Sequence, residues 1–281
     1  MIAITGASGQ LGRLVIQQLL RSIPASGIVA LARKPESVRD LGVQARPFDY
    51  ERPGTLAAAL AGVDKLLLIS SSEVGRRTPQ HKAVIDAARA AGVKLVAYTS
   101  LLHAPQSPLG LAPEHVETEA HLKASGLPFV LLRNGWYTEN YTASIPSALA
   151  HGAFLGSAGA GRIASAARAD YAAAAAAVLL REDQAGKTYE LAGDIPYTLT
   201  DLAAEIARQS GKPVAYQDLP EAEFKAVLVG AGLPEGLAAL LADSDAGAAK
   251  GALLDEGRQL SRLLGRATTP MADSVAAFLK G

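Results

Sequence analysis

"TGASGQLGRL" (residues 5–14) stands directly behind a short apolar run, Ile2, Ala3 and Ile4. It carries glycines at 6, 9 and 12, and Leu11, Leu14, Val15 and Leu19 follow at helical spacing. A strand, a glycine turn and an amphipathic helix in that order make the βα turn that binds a dinucleotide. Gly6 suits the tight turn. Gly9 leaves out a Cβ where a pyrophosphate would approach the main chain, and Gly12 lets the helix lie close to the strand. Free N–H groups and the helix dipole then face the phosphates. The alternative is a glycine-rich turn kept for packing alone.

Outward from this turn, short apolar runs alternate with helical patterns. Strands are predicted at Ile2–Thr5, Ile28–Ala32, Val43–Phe48, Lys65–Ser70, Leu95–Thr99 and Phe129–Arg133. Helices are predicted at Leu11–Arg21, Pro53–Ala61, Gln80–Ala91 and His115–Ser125. Strands apolar on both faces, alternating with helices, predict an α/β fold of Rossmann type: a doubly wound, mostly parallel sheet. "RIASAARADYAAAAAAVLL" reads as a strand and a helix, and "GKTYELAG" as a further strand. From Thr198 helices dominate: Leu199–Gln209, Glu221–Val229, a segment near Leu237–Lys250, Asp255–Leu264 and Ala272–Leu279. The expected organisation is a cofactor-binding domain over 1–135, with return segments near 160–195. A smaller, mainly helical C-terminal lobe over 136–281 would bear the substrate.

Composition narrows the function classes. Hydrophobic residues make up 49% of the 281 and charged residues 19%, a compact globular profile. Lys plus Arg and Asp plus Glu number 27 each, so no overall field draws in nucleic acid or an anionic membrane. Cysteine is absent, which excludes disulfides and thiol chemistry and suits a reducing, cytoplasmic setting. With an apolar strand predicted from Ile2 and no basic run before it, no targeting leader is expected. The run Ala172–Leu180 is about half the length a membrane span needs. Monomer and homodimer are both compatible with this sequence.

The end of the second strand decides between cofactors. NAD enzymes place Asp or Glu there for the ribose 2′-hydroxyl. Here "VALARKPES" puts Arg33 and Lys34 in that place, and a guanidinium can grip a 2′-phosphate through two parallel hydrogen bonds. NADPH is therefore expected, unless the two are merely solvated surface cations. Asp49, ending the third strand, either accepts from the adenine amino group or shapes a turn. Ser70, Ser71 and Ser72 follow the fourth strand, on the side of the ligand crevice, or else serve turn chemistry. "RNGWYTEN" follows the sixth strand: Asn134 could bond a carboxamide, and Trp136 and Tyr137 could stack a flat substrate or pack a domain junction. His115 is either held by local bonds or turned to the pocket as a substrate-steering or proton-donating group. His103 and Asn140 are weaker pocket candidates. Metal binding is not expected, since His115 and Glu119 make an incomplete set and His121 points elsewhere.

None of the eight tyrosines has a lysine four positions on, so the Tyr-x-x-x-Lys pair that protonates an alkoxide is missing. An acceptor needing less proton help is favoured. A quinone is such an acceptor, because its reduced anion is a far weaker base.

With the glycine loop, "RK" after strand two, "LLLISSSEVG", "AYTSLLHA", "PLGLAPEHVETE", "LLRNGWYTENY" and "RIASAARADYAAAAA", the chain resembles the NmrA-like branch of atypical short-chain dehydrogenases. Within it the chain is similar to bacterial NADPH:quinone oxidoreductases and, at greater distance, to triphenylmethane reductase. The resemblance implies NADP contacts at Gly6, Ala7, Ser8, Gly9, Gln10 and Leu11, at Arg33, and at Ser70, Ser71 and Ser72. It implies others at Asn134, Gly135, Trp136, Tyr137, Thr138 and Glu139, and at Ser165. His115, Trp136, Tyr137 and Asn140 are the substrate-pocket candidates, and no catalytic residue is assigned. The implied activity is direct hydride transfer from NADPH to a quinone, without flavin or metal. The alternatives are a non-catalytic NADP(H)-sensing protein and a reductase of triarylmethane or azo dyes.

Overall fold

The computed structural model describes residues 1–280. The strands are β1 (Ile2–Ile4), β2 (Ile28–Ala32), β3 (Gln44–Pro47), β4 (Lys65–Leu68), β5 (Leu95–Leu101), β6 (Phe129–Asn134), β7 (Ala153–Gly156), β8 (Thr188–Leu191) and β9 (Ala215–Asp218). The α-helices are α1 (Gln10–Leu19), α2 (Pro53–Ala59), α3 (Arg77–Ala90), α4 (Ala112–Ala124), α5 (Thr138–Thr142), α6 (Ile145–His151), α7 (Arg168–Leu180), α8 (Leu199–Ser210), α9 (Glu221–Gly230), α10 (Glu235–Ala248), α11 (Gln259–Leu264) and α12 (Met271–Lys280).

Seven strands form one sheet in the order β3-β2-β1-β4-β5-β6-β8, and every pairing is parallel. The two-residue strand period divides the core into two layers. Ile4, Ala30, Leu67, Ala97 and Leu132 face α1, the alanines of α7, and Leu260 and Leu263 of α11. Ala3, Val29, Leu66, Leu68, Val96 and Tyr98 face Leu56 of α2, Val84 and Ile85 of α3 and Leu122 of α4. The winding direction reverses between β1 and β4, which opens the crevice where such folds bind ligands.

Seven of the eight predicted strands, "GKTYELAG" among them as β8, and all four of the predicted N-terminal helices are present, most with shifted ends. Helices α3 and α4 begin one turn before the predicted starts because Pro79 and Pro113 lie inside their first turns, where proline costs no intrahelical bond. The strand expected in "RIASAARA" is absent. Its backbone bonds go to loops instead: Ile163 pairs with Tyr197, Ala164 accepts from Gly193 and donates to Leu253, and Ala166 bridges to Tyr137. Helix α11 starts at Gln259 rather than Asp255, because the Asp255 carboxylate accepts from Gly257 N–H and Arg258 takes φ +51°.

The C-terminal lobe holds a small parallel pair, β7 with β9, that the sequence reading omitted. Trp136, Tyr141, Ile145, Phe154, Leu199, Leu202, Ile206 and Val275 make its core. Asp245 of α10 is buried there, accepting from Tyr141 Oη at 3.0 Å and Ser157 N at 3.1 Å, and burial lifts its pKa to about 6. Asp243 ties α10 to the loop before α4 by accepting from Gly110 N at 2.8 Å. Among the described residues no helix is long and apolar enough to cross a membrane.

A Cβ on Gly12 would come within 2.4 Å of Gly6 O and 2.8 Å of Ala7 Cα. Both obstacles are main chain and cannot rotate away. Gly12→Ala is expected to destabilise the protein by about 1–3 kcal/mol, seen as a lower urea midpoint at constant m.

Candidate active site

The turn after β1 is built from its own backbone. Gly6 takes φ +57°, the left-handed region open to glycine, and its carbonyl accepts from Gly9 N at 2.9 Å. Gly9 then stands as the N-cap of α1, and the first turn of that helix faces the crevice. The close approach at Gly12 is to the loop itself, Gly6 and Ala7, rather than to the body of β1. Ala7 is fully buried and donates to Leu31 O at 3.2 Å, so it fixes the loop without facing the crevice.

Beside this loop opens a cavity of about 770 Å³. Gly6, Ser8, Gly9, Gln10, Leu11 and Gly12 line one wall. Arg33 at the end of β2, Asp49 after β3 and Ser70, Ser71 and Ser72 after β4 line other parts of it, with Arg77 and Gln80 of α3 and Tyr137 beyond β6. Lys34 does not line it; its carbonyl accepts from Ser37 Oγ in a short turn. Asp49 shapes a turn as well as facing the cavity: one carboxylate oxygen accepts from Glu51 N at 3.1 Å. Tyr50, edge-on to Phe48, has its phenol pushed up to about 12 by burial.

The segment after β6 divides. Tyr137 reaches the cavity, with the Arg168 guanidinium 4.7 Å above its ring and Asn134 Nδ2 donating to its hydroxyl at 3.4 Å. Gly135, Trp136, Thr138, Glu139, Asn140 and Ser165 do not line the cavity. Trp136 packs on Tyr141 in the C-terminal core. Thr138, Ser165 and Tyr197 share a hydroxyl chain at 2.8 and 2.6 Å. Both carboxylate oxygens of Glu139 accept from Arg168 N, capping α7, and Asn140 Oδ1 accepts from the Arg168 guanidinium at 3.4 Å. A Cβ on Gly135 would lie 3.1 Å from both Leu191 O and Tyr171 Oη, so a side chain there would push these neighbours back by a few tenths of an ångström. Arg168 is, with Arg77, a cavity cation that sequence reasoning missed. Its signal was "ARAD" at a helix start after the predicted return strand.

His115 lies behind the cavity. It is buried, its Nδ1 is 2.7 Å from Tyr98 Oη, and burial with the nearby Arg77 charge drives its pKa well below the ordinary value. Glu119, on the same helix, binds Arg133 through two oxygens at 2.9 and 2.7 Å and accepts from Ser100 Oγ. Arg133 reaches on to Glu190 at 2.8 Å, so this network ties α4 to β5, β6 and β8. His103 joins Asp255 at 3.2 Å, outside the cavity. Among the described residues no group of three or more such side chains could hold a metal ion.

The serine loop is positioned from below by α3. His81 Nε2 accepts from Ser71 N at 2.9 Å, which leaves its proton on Nδ1 toward Thr118 Oγ1. Arg77 Nε donates to Ser71 O at 2.8 Å and its other arm pairs with Glu114 at 3.3 Å. Ser70 N donates to Thr99 Oγ1 at 2.9 Å. Burial, with the Arg77 charge, holds His81 neutral, with its pKa lowered to about 3. The unfolded chain takes up this proton near pH 6.5 and the folded chain does not. The stabilisation is therefore whole above about pH 6.5 and is lost as pH falls toward 3. From pH 7 to 5 His81 is expected to remove about 2 kcal/mol of unfolding free energy. His81→Gln, which keeps an acceptor but cannot titrate, should flatten that part of the slope in urea titrations run at both pH values.

Three comparisons bear on this site. A model of the NAD(P)H-binding family matches residues 6–182. Quinone oxidoreductase 2 of Escherichia coli (strain K12) is 60% identical over 279 residues, which span 98% of each chain. A crystal structure of an NADPH-dependent quinone oxidoreductase from Escherichia coli, complexed with NADPH, superposes with a TM-score of 0.97 at 60% identity, covering 99% of this chain and 100% of that one. The triphenylmethane reductase of Citrobacter sp., complexed with NADP(H), gives 0.95 at 38% identity over 99% of this chain and 100% of that one. The glycine cradle, the parallel sheet and these likenesses agree: the chain belongs to the NAD(P)H-binding family.

Proposed function

We propose that the chain is an NADPH-dependent quinone oxidoreductase that passes hydride directly to its acceptor. The observation that carries this reading is the single cavity that sets the glycine loop, Arg33, Tyr137 and Arg168 along one crevice. The residues fit the cofactor. Gly6, Ser8, Gly9 and Gln10 bring main chain to the cavity wall at the start of α1, where a diphosphate would bind, and Arg33 in the same cavity would meet a 2′-phosphate. The near full-length likeness to the Escherichia coli quinone oxidoreductase supports a quinone as acceptor.

When bound, NADPH supplies the hydride. The chain supplies position and charge. The first turn of α1 and the loop N–H groups hold the diphosphate. Ser70, Ser71 and Ser72, fixed by Thr99, His81 and Arg77, form the opposite wall. Tyr137 brings an aromatic ring to the cavity wall, and the Arg168 cation stacked over it favours charge arriving on a quinone oxygen. The proton comes from solvent, because His115 is neutral and turned away. Asn134, whose Nδ2 donates to the Tyr137 hydroxyl, keeps a buried Oδ1 without a partner, and it is proposed to gain one when the site fills.

Two measurements test this. NADPH absorbance should fall in the presence of enzyme and a simple benzoquinone, and failure with several quinones would reject the activity. Arg33→Ala should weaken NADPH binding by about 1.5–3 kcal/mol in calorimetry while leaving NADH nearly unchanged. Equal small effects on both cofactors would reject the 2′-phosphate assignment.

A further inference from the structure

The corner of the cavity around Arg33 holds three carboxylates: Asp49, Glu51 and Glu73. This is an unexpected neighbourhood for a group meant to receive a phosphate. Asp49 is occupied by its turn and by Arg52 at 3.7 Å. Glu51 is paired with Arg76. Glu73 faces Arg33 itself, at 3.7 Å, with Arg76 on its other side at 3.8 Å.

Glu73 is held there. Gln80, buried on α3, donates from Nε2 to Glu51 at 2.8 Å and to Glu73 at 2.9 Å. Both partners only accept, so the amide cannot turn over without setting its oxygen against two carboxylates. The Glu73 N–H also donates to Ser71 Oγ at 3.2 Å. The pair it makes with Arg33 is looser: its distance exceeds that of a hydrogen bond, and the Arg33 side chain is 75% exposed.

We propose that Glu73 sets the choice between NADPH and NADH. In the free protein it stands in for the 2′-phosphate at Arg33, and that phosphate must dislodge it. NADH brings a 2′-hydroxyl instead, which donates to a carboxylate. Glu73 then does, from the loop after β4, what an acid at the end of the second strand does in NAD enzymes. Arg76 takes up the carboxylate when the phosphate claims Arg33. The Arg33–Glu73 pair thereby narrows a preference that Arg33 alone would make steep. This inference rests on the cavity being the cofactor site.

Calorimetric titration of NADPH and NADH into the full chain, and into Glu73→Gln, tests it. The variant should bind NADPH about three- to fivefold tighter and NADH no tighter, so the preference ratio rises. The gain in NADPH affinity should shrink at high salt. Glu73→Asp, which draws the carboxylate back by one methylene, should give an intermediate ratio and serves also if the glutamine variant melts early. A ratio unchanged or lowered in both variants overturns the proposal. Failure of the unaltered chain to bind either cofactor would instead remove the cofactor site, and this inference with it.

Discussion

The approach of α1 to the loop in front of it governs this structure. With no Cβ at Gly12, the helix packs against the Gly6 and Ala7 backbone, and its first turn stays at the crevice mouth. Gly6 can return the chain because it occupies left-handed space. The switch in strand order between β1 and β4 then has an open N-terminal helix turn beside it. Moving the helix outward by the width of a methyl group would separate the turn from Arg33 and the serine loop, which are anchored to other strands.

Much of this was legible in the sequence because it is local. Glycine spacing, apolar strands and the basic pair after β2 each depend on neighbouring residues, and Ile28–Ala32 appears with the bounds that its apolar run suggests. What escaped were features set by distant partners. Residues 163–166 are apolar enough for a strand, but their backbone is claimed by Tyr197, Gly193 and Leu253. The β7–β9 pair joins segments some sixty residues apart, and neither carries a run long enough to announce itself. Arg168 looks like any helix-start arginine until Tyr137 is placed beneath it.

The candidate site divides along the same line. Residues adjoining a strand end, such as Arg33 and Ser70–Ser72, lie on the cavity as their positions implied. The "NGWYTE" segment was harder, since one loop serves both the crevice and the C-terminal core. Tyr137 points one way and Trp136 the other. His115 could not be placed from spacing, because what holds it inside is Tyr98, a residue of β5 seventeen positions earlier. The supporting layer of His81, Arg77 and Gln80 gave no sequence signal. His81 and Arg77 act on Ser71, six to ten residues back, through backbone atoms that have no residue identity, and Gln80 acts on carboxylates from two separate loops.

The chain order has a consequence for biosynthesis. The edge strand β8 comes from residues 188–191, and the layer over β4 to β6 is finished by α7 and then by α11, residues 259–264. A nascent chain that has released its first six strands therefore still exposes a broad apolar face. Ribosomal emergence and closure of the nucleotide-binding half are out of step: the half that starts first is sealed by nearly the last helix made. Until α7 and α11 are made, the apolar face they cover has no partner, and exposed surface of that kind is what makes folding intermediates prone to aggregate.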